Sequence, residues 1–253
     1  MSETILQVQD LCKNFGGLAA VDRVSLTVQT AALHAVIGPN GAGKTTLINL
    51  LSGEMQASSG TILFHGNEIS ALTPEQRSRR GIGRSYQRTN IFPGFSAFEN
   101  CRLAAQSRAP HALNWLHDAL SYDDILRQAR RALDLVGLDA RANDVAFELS
   151  HGEQRQLEIA MCLATEPQLL LLDEPLAGMG AEETQRMIEL IHQLAERHAV
   201  LLVEHDMDAV FQLAKLLTVM VDGRVLASGT PSEIRANHDV QAAYLGGGTD
   251  SSL

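Results

Sequence analysis

Hydrophobic patterning along the chain predicts two kinds of β-strand. Short segments with β-branched residues, bounded by turn-forming positions, predict an antiparallel sheet near the start, and they are residues 5–9, 24–28 and 61–66. Other segments are apolar almost throughout and end in glycine or an acid, as strands buried on both faces of a parallel sheet do. These segments are residues 33–38, 169–173 and 199–206. Residues 216–229 predict a hairpin that turns at Asp222-Gly223.

Between residues 95 and 165 the pattern is helical, with no clear strand. Within residues 123–138 the apolar positions fall on one helical face, and they are Ile125, Leu126, Ala129, Ala132, Leu133 and Val136. Strands that alternate with helices indicate an α/β fold, here with an inserted helical subdomain. We therefore predict a single domain over residues 1–245 and a flexible tail of small and polar residues at 246–253.

Composition narrows the class of protein. The chain has 253 residues, of which 4% are aromatic, and a formal net charge of −10, which disfavours nucleic acid as a partner. Its three cysteines form no CxxC pair, so a reducing compartment is expected. The first ten residues lack a signal-peptide core, and no apolar run approaches the roughly 20 residues of a membrane span. We expect a soluble, cytoplasmic chain.

The segment "GPNGAGKTT" matches the phosphate-binding loop pattern G-x-x-x-x-G-K-[ST] and stands between a predicted strand and a helix. Glycines let the backbone curl so that its N–H groups point at phosphate oxygens. Lys44 supplies a positive charge for the outer phosphates, and the Thr45 hydroxyl can bind Mg²⁺. The predicted nucleotide-binding residues are Gly38, Pro39, Asn40, Gly41, Ala42, Gly43, Lys44, Thr45 and Thr46.

Acidic residues end the predicted strand "LLLLDEP", at the edge of a parallel sheet where ligands bind. Asp173 is placed to hold Mg²⁺, and Glu174 can polarise a water molecule for attack on the terminal phosphate. His205 ends the next apolar strand and could bond the γ-phosphate or orient Glu174. Gln87 is a loop amide that could touch both Mg²⁺ and the attacking water, but from the residues alone it is equally a solvated loop residue, and its role depends on the resemblance given below.

The segment "ELSHGEQRQLEIA" predicts a helix whose N-terminus is an anion site. Ser150 and Glu153 form a capping box, and the remaining N–H groups and the helix dipole attract negative charge. The apolar stripe of the helix follows later along the chain, at Leu157, Ala160, Met161 and Ala164.

An arginine-rich segment with no acid spans residues 76–98, and its arginines are Arg77, Arg79, Arg80, Arg84 and Arg88. Two interpretations stay open. The segment is either a solvated face or a docking surface for acidic protein segments or lipid headgroups.

The chain resembles the ATP-binding subunit of an ABC transporter over essentially its whole length. The resemblance lies in the order and spacing of five segments, which are the phosphate-binding loop, the Gln87 loop, "LSHGEQ", "LLLLDEP" and "EHD". The segments "FGGLAAVDRVSL" and "EPLAGMGAEET" and the C-terminal stretch are similar to the branched-chain (hydrophobic) amino acid uptake subfamily. This resemblance implies a P-loop NTPase core of ABC type with an antiparallel β subdomain and a helical subdomain. It also implies ATP and Mg²⁺ as cofactors and an ATPase that drives an importer for branched-chain amino acids or related small amino acids or amides.

Site residues follow from the resemblance. Glu174, His205 and Gln87 would be catalytic, and the Mg²⁺ ligands would be Thr45, Gln87 and Asp173. The ATP-contacting residues beyond the phosphate-binding loop would be Phe15, stacked on adenine, Val21 beside it, and Ser150, Gly152 and Glu153, which reach ATP held by a partner chain.

Two departures from the family pattern are His151, where glycine is usual, and the Gly178–Gly180 loop, which lacks a common Asp. The resemblance implies integral membrane permease subunits, a second ATPase subunit, identical or different, and indirectly a periplasmic binding protein, with this chain on the cytoplasmic face of the membrane. The alternatives are an ABC motor for another cargo, such as lipopolysaccharide export, and a soluble ABC ATPase without transport.

Overall fold

The computed structural model describes residues 3–86, 90–108 and 123–245. The strands are β1 (Thr4–Phe15), β2 (Leu18–Gln29), β3 (Leu33–Ile37), β4 (Ser59–Phe64), β5 (Asn67–Glu68), β6 (Ile82–Arg84), β7 (Leu169–Asp173), β8 (Ala199–Val203), β9 (Leu216–Val221) and β10 (Arg224–Gly229). The helices are α1 (Lys44–Ser52), α2 (Pro74–Arg79), α3 (Ala97–Gln106), α4 (Asp123–Leu135), α5 (His151–Ala164), α6 (Ala181–Ala195), α7 (Met207–Leu213), α8 (Pro231–Ala236) and α9 (His238–Leu245). No helix in these described ranges has the length and apolarity needed to cross a membrane.

The smaller sheet is antiparallel and has the strand order β2-β1-β4-β5. All three segments predicted for it are strands, but β1 and β2 are longer than the sequence pattern indicates. The reason in β1 is a register shift between Val8 and Leu11, where Asp10 takes a left-handed φ of 45°. Such a bulge breaks the alternation on which the prediction relies, although pairing with β2 continues beyond it.

The larger sheet has the order β10-β9-β3-β8-β7-β6. Its pairs are parallel except the β9–β10 hairpin, which turns at Asp222 and Gly223, both left-handed with φ of 49° and 77°. Every residue of β3, β7 and β8 is buried, which confirms the interpretation of their apolar sequences. The carboxyl ends of these three strands lie at one edge of the sheet, and the loops that follow them form the site described below.

Helices α3, α4 and α5 pack against one another. In the described part of 95–165, β pairing is limited to one bridge between Ser96 and Val145. Helix α4 ends at Leu135 instead of residue 138, because Gly137 adopts a left-handed φ of 76°. The Leu138 N–H then bonds back to the Leu133 carbonyl oxygen at 2.9 Å, which closes the helix end. The tail at 246–253 and the segment 109–122 lie outside the described residues.

The arginine-rich segment is not a uniform surface, so neither interpretation of it holds for all its members. Arg77 is only 1% exposed, and its guanidinium donates to the carbonyl oxygens of Leu50 (2.6 Å) and Leu51 (2.8 Å) at the end of α1. Burial lowers the Arg77 pKa to about 10. Arg84 is also largely buried and is described with the site, whereas Arg79 and Arg80 are exposed. Because Arg77 caps a helix and neutralises its negative end, it is part of the fold.

His34 in β3 gives the fold a predictable pH dependence. Its ring nitrogens bond to the Thr27 carbonyl oxygen (2.9 Å) and the Thr218 hydroxyl (2.8 Å), and burial lowers its pKa from 6.5. The unfolded chain therefore takes up a proton at a pH where the folded chain does not. The His34 contribution to stability should be complete above pH 6.5 and be lost as the pH falls below it.

We expect the free energy of unfolding of the wild type to fall below pH 6.5 faster than that of His34→Gln, by up to about 1.4 kcal/mol per pH unit. Urea unfolding between pH 5 and 8 measures this difference. Parallel curves for the two proteins would contradict the neutral, buried assignment of His34.

Candidate active site

The phosphate-binding loop connects β3 to α1 and shows why its sequence is rich in glycine. Gly38, Gly41 and Gly43 have φ of 154°, 81° and 95°. Gly43 is the residue before α1, and no side chain caps the helix there. The first N–H groups of α1 are thus available to an anion, together with the positive end of the helix dipole. Asn40, Gly41 and Thr45 are exposed, so the loop is open to a ligand.

Two of these glycines are also required by close packing. A Cβ on Gly43 would lie 2.2 Å from the Ala20 carbonyl oxygen, and one on Gly38 would lie 2.1 Å from the Met220 carbonyl oxygen. A Cβ on Gly41 would meet nothing within 4 Å. The loop is therefore held between β2 and β9 by backbone contacts that no other residue type permits.

We expect Gly43→Ala to destabilise the chain by about 3 kcal/mol or more and to abolish nucleotide binding, because it adds a backbone collision to left-handed strain. Gly41→Ala is the matched control, since it carries only the strain of about 1–2 kcal/mol. Urea unfolding and binding of a fluorescent ATP analogue measure both effects. Equal stability of the two variants would contradict the packing argument.

Lys44 begins α1 and is buried. Its ammonium group donates to the carbonyl oxygens of Gly38 (2.6 Å) and Pro39 (3.1 Å), so it lies folded over its own loop. Burial lowers the Lys44 pKa, while the charges of Glu174, Asp173 and Glu204 raise it. The predicted phosphate-binding cation and the acids after β7 and β8 are therefore close enough to influence one another.

Asp173 ends β7 with its side chain 1% exposed. Neither carboxylate oxygen has a hydrogen-bond partner among the described residues, and the Arg84 Nη2 lies 3.5 Å from Oδ2. Burial raises the Asp173 pKa, and the Arg84 charge opposes that shift. Arg84 also binds Glu54 (3.1 Å), Ser52 (2.7 Å) and Asn49 (2.7 Å), so its own position is fixed.

The geometry at Asp173 fits a bound cation. Two buried carboxylate oxygens without hydrogen bonds are costly, and the Arg84 charge at 3.5 Å from Oδ2 offsets that cost only in part, so a further cation would stabilise them. Mg²⁺ is commonly held by one or two protein oxygens together with phosphates. Asp173 and the exposed Thr45 fit such a site.

Glu174 stands in a strained backbone conformation, with φ of 49°. Its N–H donates to the Val203 carbonyl oxygen at the end of β8 (2.9 Å), which fixes it against the neighbouring strand. A left-handed conformation in a residue other than glycine costs about 1–3 kcal/mol and is concentrated at functional sites.

Glu204 is a residue that the sequence analysis missed. It follows β8, is fully buried, and accepts the N–H groups of Leu176 (2.9 Å) and His205 (3.0 Å). Burial raises its pKa, and these hydrogen bonds oppose the shift. Glu204 thereby joins the loop after Glu174 to the residue predicted as catalytic histidine. The sequence does contain a signal for Glu204, namely an acid directly after an apolar strand. The sequence analysis assigned the functional role at this position to the neighbouring His205 instead.

His205 has a 61% exposed side chain, with Nδ1 3.6 Å from Glu204 Oε2. Asp206 begins α7 by accepting the Ala209 N–H (3.1 Å) and so directs the chain away from the sheet. His205 therefore stands at the rim of the site, where a ligand can reach it.

The two residues predicted to contact adenine differ in exposure. Phe15 is 48% exposed at the end of β1, and the Lys13 ammonium lies 5.3 Å from the centre of its ring. Val21 is fully buried, so in this arrangement its side chain has no surface to offer a base. The Val21 contact stays a prediction that the structure does not favour. Ala20 connects this region to the phosphate-binding loop through its contact with Gly43.

The capping box predicted at the start of α5 is present. The Ser150 hydroxyl accepts the Glu153 N–H (3.2 Å), and the Glu153 carboxylate accepts the Ser150 N–H (2.8 Å). Ser150 and His151 are exposed, whereas Gly152 is buried. Of the predicted apolar stripe, Leu157, Ala160 and Ala164 are buried and Met161 is half-buried.

Helix α5 also holds the backbone just before Gln87. Glu158 accepts the Tyr86 N–H at 2.6 Å, and Arg155 donates to the Tyr86 carbonyl oxygen at 2.6 Å. Arg155 and Glu158 also pair with each other at 3.1 Å, and burial raises the Glu158 pKa. Gln87 itself, predicted as a catalytic residue and Mg²⁺ ligand, and Arg88 lie outside the described residues. These two contacts connect α5 to Tyr86, the last described residue before Gln87.

Comparison with known proteins gives consistent matches. The sequence profile of the family described as "ABC transporter" matches residues 21–177, and that of "Branched-chain amino acid ATP-binding cassette transporter" matches residues 224–250. The chain is 39% identical to the high-affinity branched-chain amino acid transport ATP-binding protein LivG of Escherichia coli (strain K12), over 97% of this chain and 99% of LivG. It is 41% identical to BraF of Pseudomonas aeruginosa, a protein of the same description, with the same coverage.

Among solved structures, the chain is similar to an ATP-binding cassette of an ABC transporter in its ADP conformation. The TM-score is 0.86 at 27% identity, with 97% of this chain and 100% of that chain covered. A nucleotide-free ATP-binding cassette from an ABC transporter gives a TM-score of 0.85 at 26% identity, with 96% and 99% covered.

Proposed function

Because the chain belongs to the ABC transporter family of ATP-binding proteins, we propose that it is the ATP-hydrolysing motor subunit of an importer for branched-chain amino acids. Family membership accounts for ATP binding and hydrolysis. The cargo, the partner chains and the role of each site residue form the proposal.

The observation that carries the proposal is the convergence of three strand ends. Lys44 follows β3, Asp173 and Glu174 end β7, and Glu204 follows β8, and the charges of the three acids act on the Lys44 ammonium. A phosphate-binding cation, a buried metal-binding carboxylate and a second carboxylate next to it are what in-line attack of water on a terminal phosphate requires.

In this proposal Glu174 accepts a proton from the attacking water as the new oxygen–phosphorus bond forms, while the bond between the γ-phosphorus and the bridging oxygen breaks and releases ADP. Its backbone is fixed by Val203, so the carboxylate needs little reorganisation. Lys44 and the α1 N-terminus stabilise the charge that develops on the phosphate oxygens. His205, at the exposed rim, bonds the terminal phosphate or orients Glu174. When Mg²⁺ is bound, held by Asp173 and Thr45, it neutralises phosphate charge.

A second chain completes the site. Ser150 is exposed at the capped end of α5, as a donor aimed at a partner's nucleotide would be. The positive end of a helix dipole attracts an anion, and Ser150, Gly152 and Glu153 surround it. We therefore place the γ-phosphate between Lys44 of one subunit and Ser150 of the other, in a homodimer or a heterodimer.

The membrane partner contacts the cleft between the central sheet and the helices α3 and α5. That cleft has a volume of about 420 Å³ and is lined by Arg84, Tyr86, Met161 and neighbouring residues. Arg84 reaches from the cleft to Asp173, and Tyr86 directly precedes the Gln87 loop. A permease segment seated there would act on the nucleotide site through both residues. The chain would then work as a peripheral subunit on the cytoplasmic face of the membrane.

Purification of the assembled transporter tests the proposal. A tagged chain extracted in mild detergent should bring integral membrane permease chains with it, and proteoliposomes of the complex should take up leucine or isoleucine with ATP. Lys44→Ala in the same complex is the control and should block uptake. Recovery of soluble partners only, or ATPase stimulation by nucleic acid, would overturn transport. Uptake of a different cargo would contradict the proposed substrate class but not the proposed role in transport.

A further inference from the structure

Glu183, in the first turn of α6, uses both carboxylate oxygens in contacts with other parts of the site. Oε2 accepts the N–H of Gly180 at 3.3 Å, and Oε1 accepts the Ser150 hydroxyl at 3.3 Å. A Cβ on Gly152 would lie 2.8 Å from Oε1, so the carboxylate also rests directly against the start of α5. A negative charge of the chain itself thus lies at the helix end proposed to receive a phosphate.

The hydroxyl of Ser150 has only one proton to donate. In the structure that proton goes to Glu183, while the oxygen accepts the N–H of Glu153. To donate to a γ-phosphate, Ser150 must release Glu183. The carboxylate and the phosphate therefore compete for the same donor.

Charge reinforces this competition. A carboxylate next to an incoming phosphate repels it. Glu183 is half-buried, which weakens screening by solvent. Closure of two subunits onto ATP must work against this charge or displace it.

The other contact of Glu183 is with the loop that follows Glu174. Gly180 stands before α6 and has no side chain to cap the helix. Glu183 accepts its N–H instead, so one carboxylate joins the start of α6 to the start of α5. The beginning of α6 follows the chain's own Glu174, and the beginning of α5 faces the partner's nucleotide.

We propose that Glu183 is a positioning residue that holds Ser150 in the free chain and exchanges it for the γ-phosphate when two subunits close. The exchange rests on the two-subunit site proposed above. It makes closure conditional on ATP, because only an anion of higher charge displaces the carboxylate. It also links arrival of the partner's phosphate to the loop that carries Glu174.

The first arm of the test uses the nucleotide-free chain. In hydrogen exchange, Glu183→Ala should raise the exchange rate at Gly180 several-fold and loosen the start of α5, whereas Glu182→Ala should leave both unchanged. Unchanged rates in Glu183→Ala would overturn the contact itself. If the alanine variant folds poorly, Glu183→Leu, which has a similar size but no acceptor oxygen, takes its place in this arm.

The second arm measures ATP-driven association in a Glu174→Gln background, with the partner ATPase chain added if the motor is a heterodimer. Adding Glu183→Gln should lower the dissociation constant about five- to tenfold, because it removes the competing charge. Glu182→Gln should change it less than about twofold, as an exposed charge does. An unchanged or higher dissociation constant for Glu183→Gln would overturn the exchange. Failure of the Glu174→Gln parent to associate at all would instead overturn the two-subunit site.

Discussion

Replacing Glu174 with glutamine is expected to lower ATP turnover by roughly 10²–10⁴-fold while ATP affinity changes less than about twofold. The amide has the shape of the carboxylate but cannot take a proton from water. The backbone N–H of Glu174 still binds Val203 in the variant, so the turn and the Asp173 oxygens keep their positions. Because ATP then persists, the closed form should accumulate as a nucleotide-dependent dimer.

Phosphate release, nucleotide binding and size-exclusion chromatography with ATP measure these effects. Glu189→Gln on α6 is a suitable control, since that carboxylate is exposed and bonds only to Gln185 among the described side chains. It should behave like the wild type in all three assays. Unchanged phosphate release from Glu174→Gln would exclude Glu174 as the essential base.

Replacing Ser150 with arginine is expected to reduce hydrolysis at least about 10²-fold and to leave ATP affinity of the single chain nearly intact. The long cationic side chain removes the hydroxyl donor and obstructs the exposed end of α5. Among the described residues, the side-chain contacts of Ser150 are with Glu153 and Glu183 and do not involve the phosphate-binding loop, so we expect nucleotide still to enter that loop. A large loss of affinity in the isolated chain would contradict the placement of Ser150 against a partner's nucleotide.

Mixing the two inactive variants provides a stricter test of that placement. A dimer of one Ser150→Arg chain and one Glu174→Gln chain contains one site with both an intact Glu174 and an intact Ser150. Activity should therefore reappear on mixing, at up to about a quarter of the wild-type rate if the chains pair at random and each intact site works independently. Absence of recovery, under conditions where the wild-type chain alone hydrolyses ATP, would place both residues in one subunit's site.

The pattern of apolar residues predicts much of the fold. Strands β3, β7 and β8 are buried on both faces, and that environment requires the continuous apolar runs from which they were predicted. The β9–β10 turn was found because Asp-Gly is favoured where two successive residues need positive φ. Strand β6 was missed because three residues, one of them Arg84, carry no recognisable periodicity.

The candidate site was predictable where one short motif contains the chemistry, as around Lys44 and Asp173. It was not predictable where function depends on contacts between distant segments. Arg77 and Arg84 look alike in sequence, yet one caps α1 and the other binds Asp173. Glu183 was missed for the same reason, since its partner Ser150 lies 33 positions earlier. The local sequence pattern predicts the helix or strand to which a residue belongs. Only the folded structure shows which distant side chain it contacts.

Helix α5 bears Ser150 at its tip and the Arg155–Glu158 clamp on Tyr86 two turns later. A hydrogen-bonded helix of this length scarcely compresses, so a displacement of Ser150 is transmitted along α5 to Tyr86. Engineers who build chimaeras from related motors should treat residues 84–86 and 150–164 as one exchangeable cassette. Grafting "LSHGEQ" alone would transfer the proposed phosphate-binding residues but not the contacts of Arg155 and Glu158 with Tyr86.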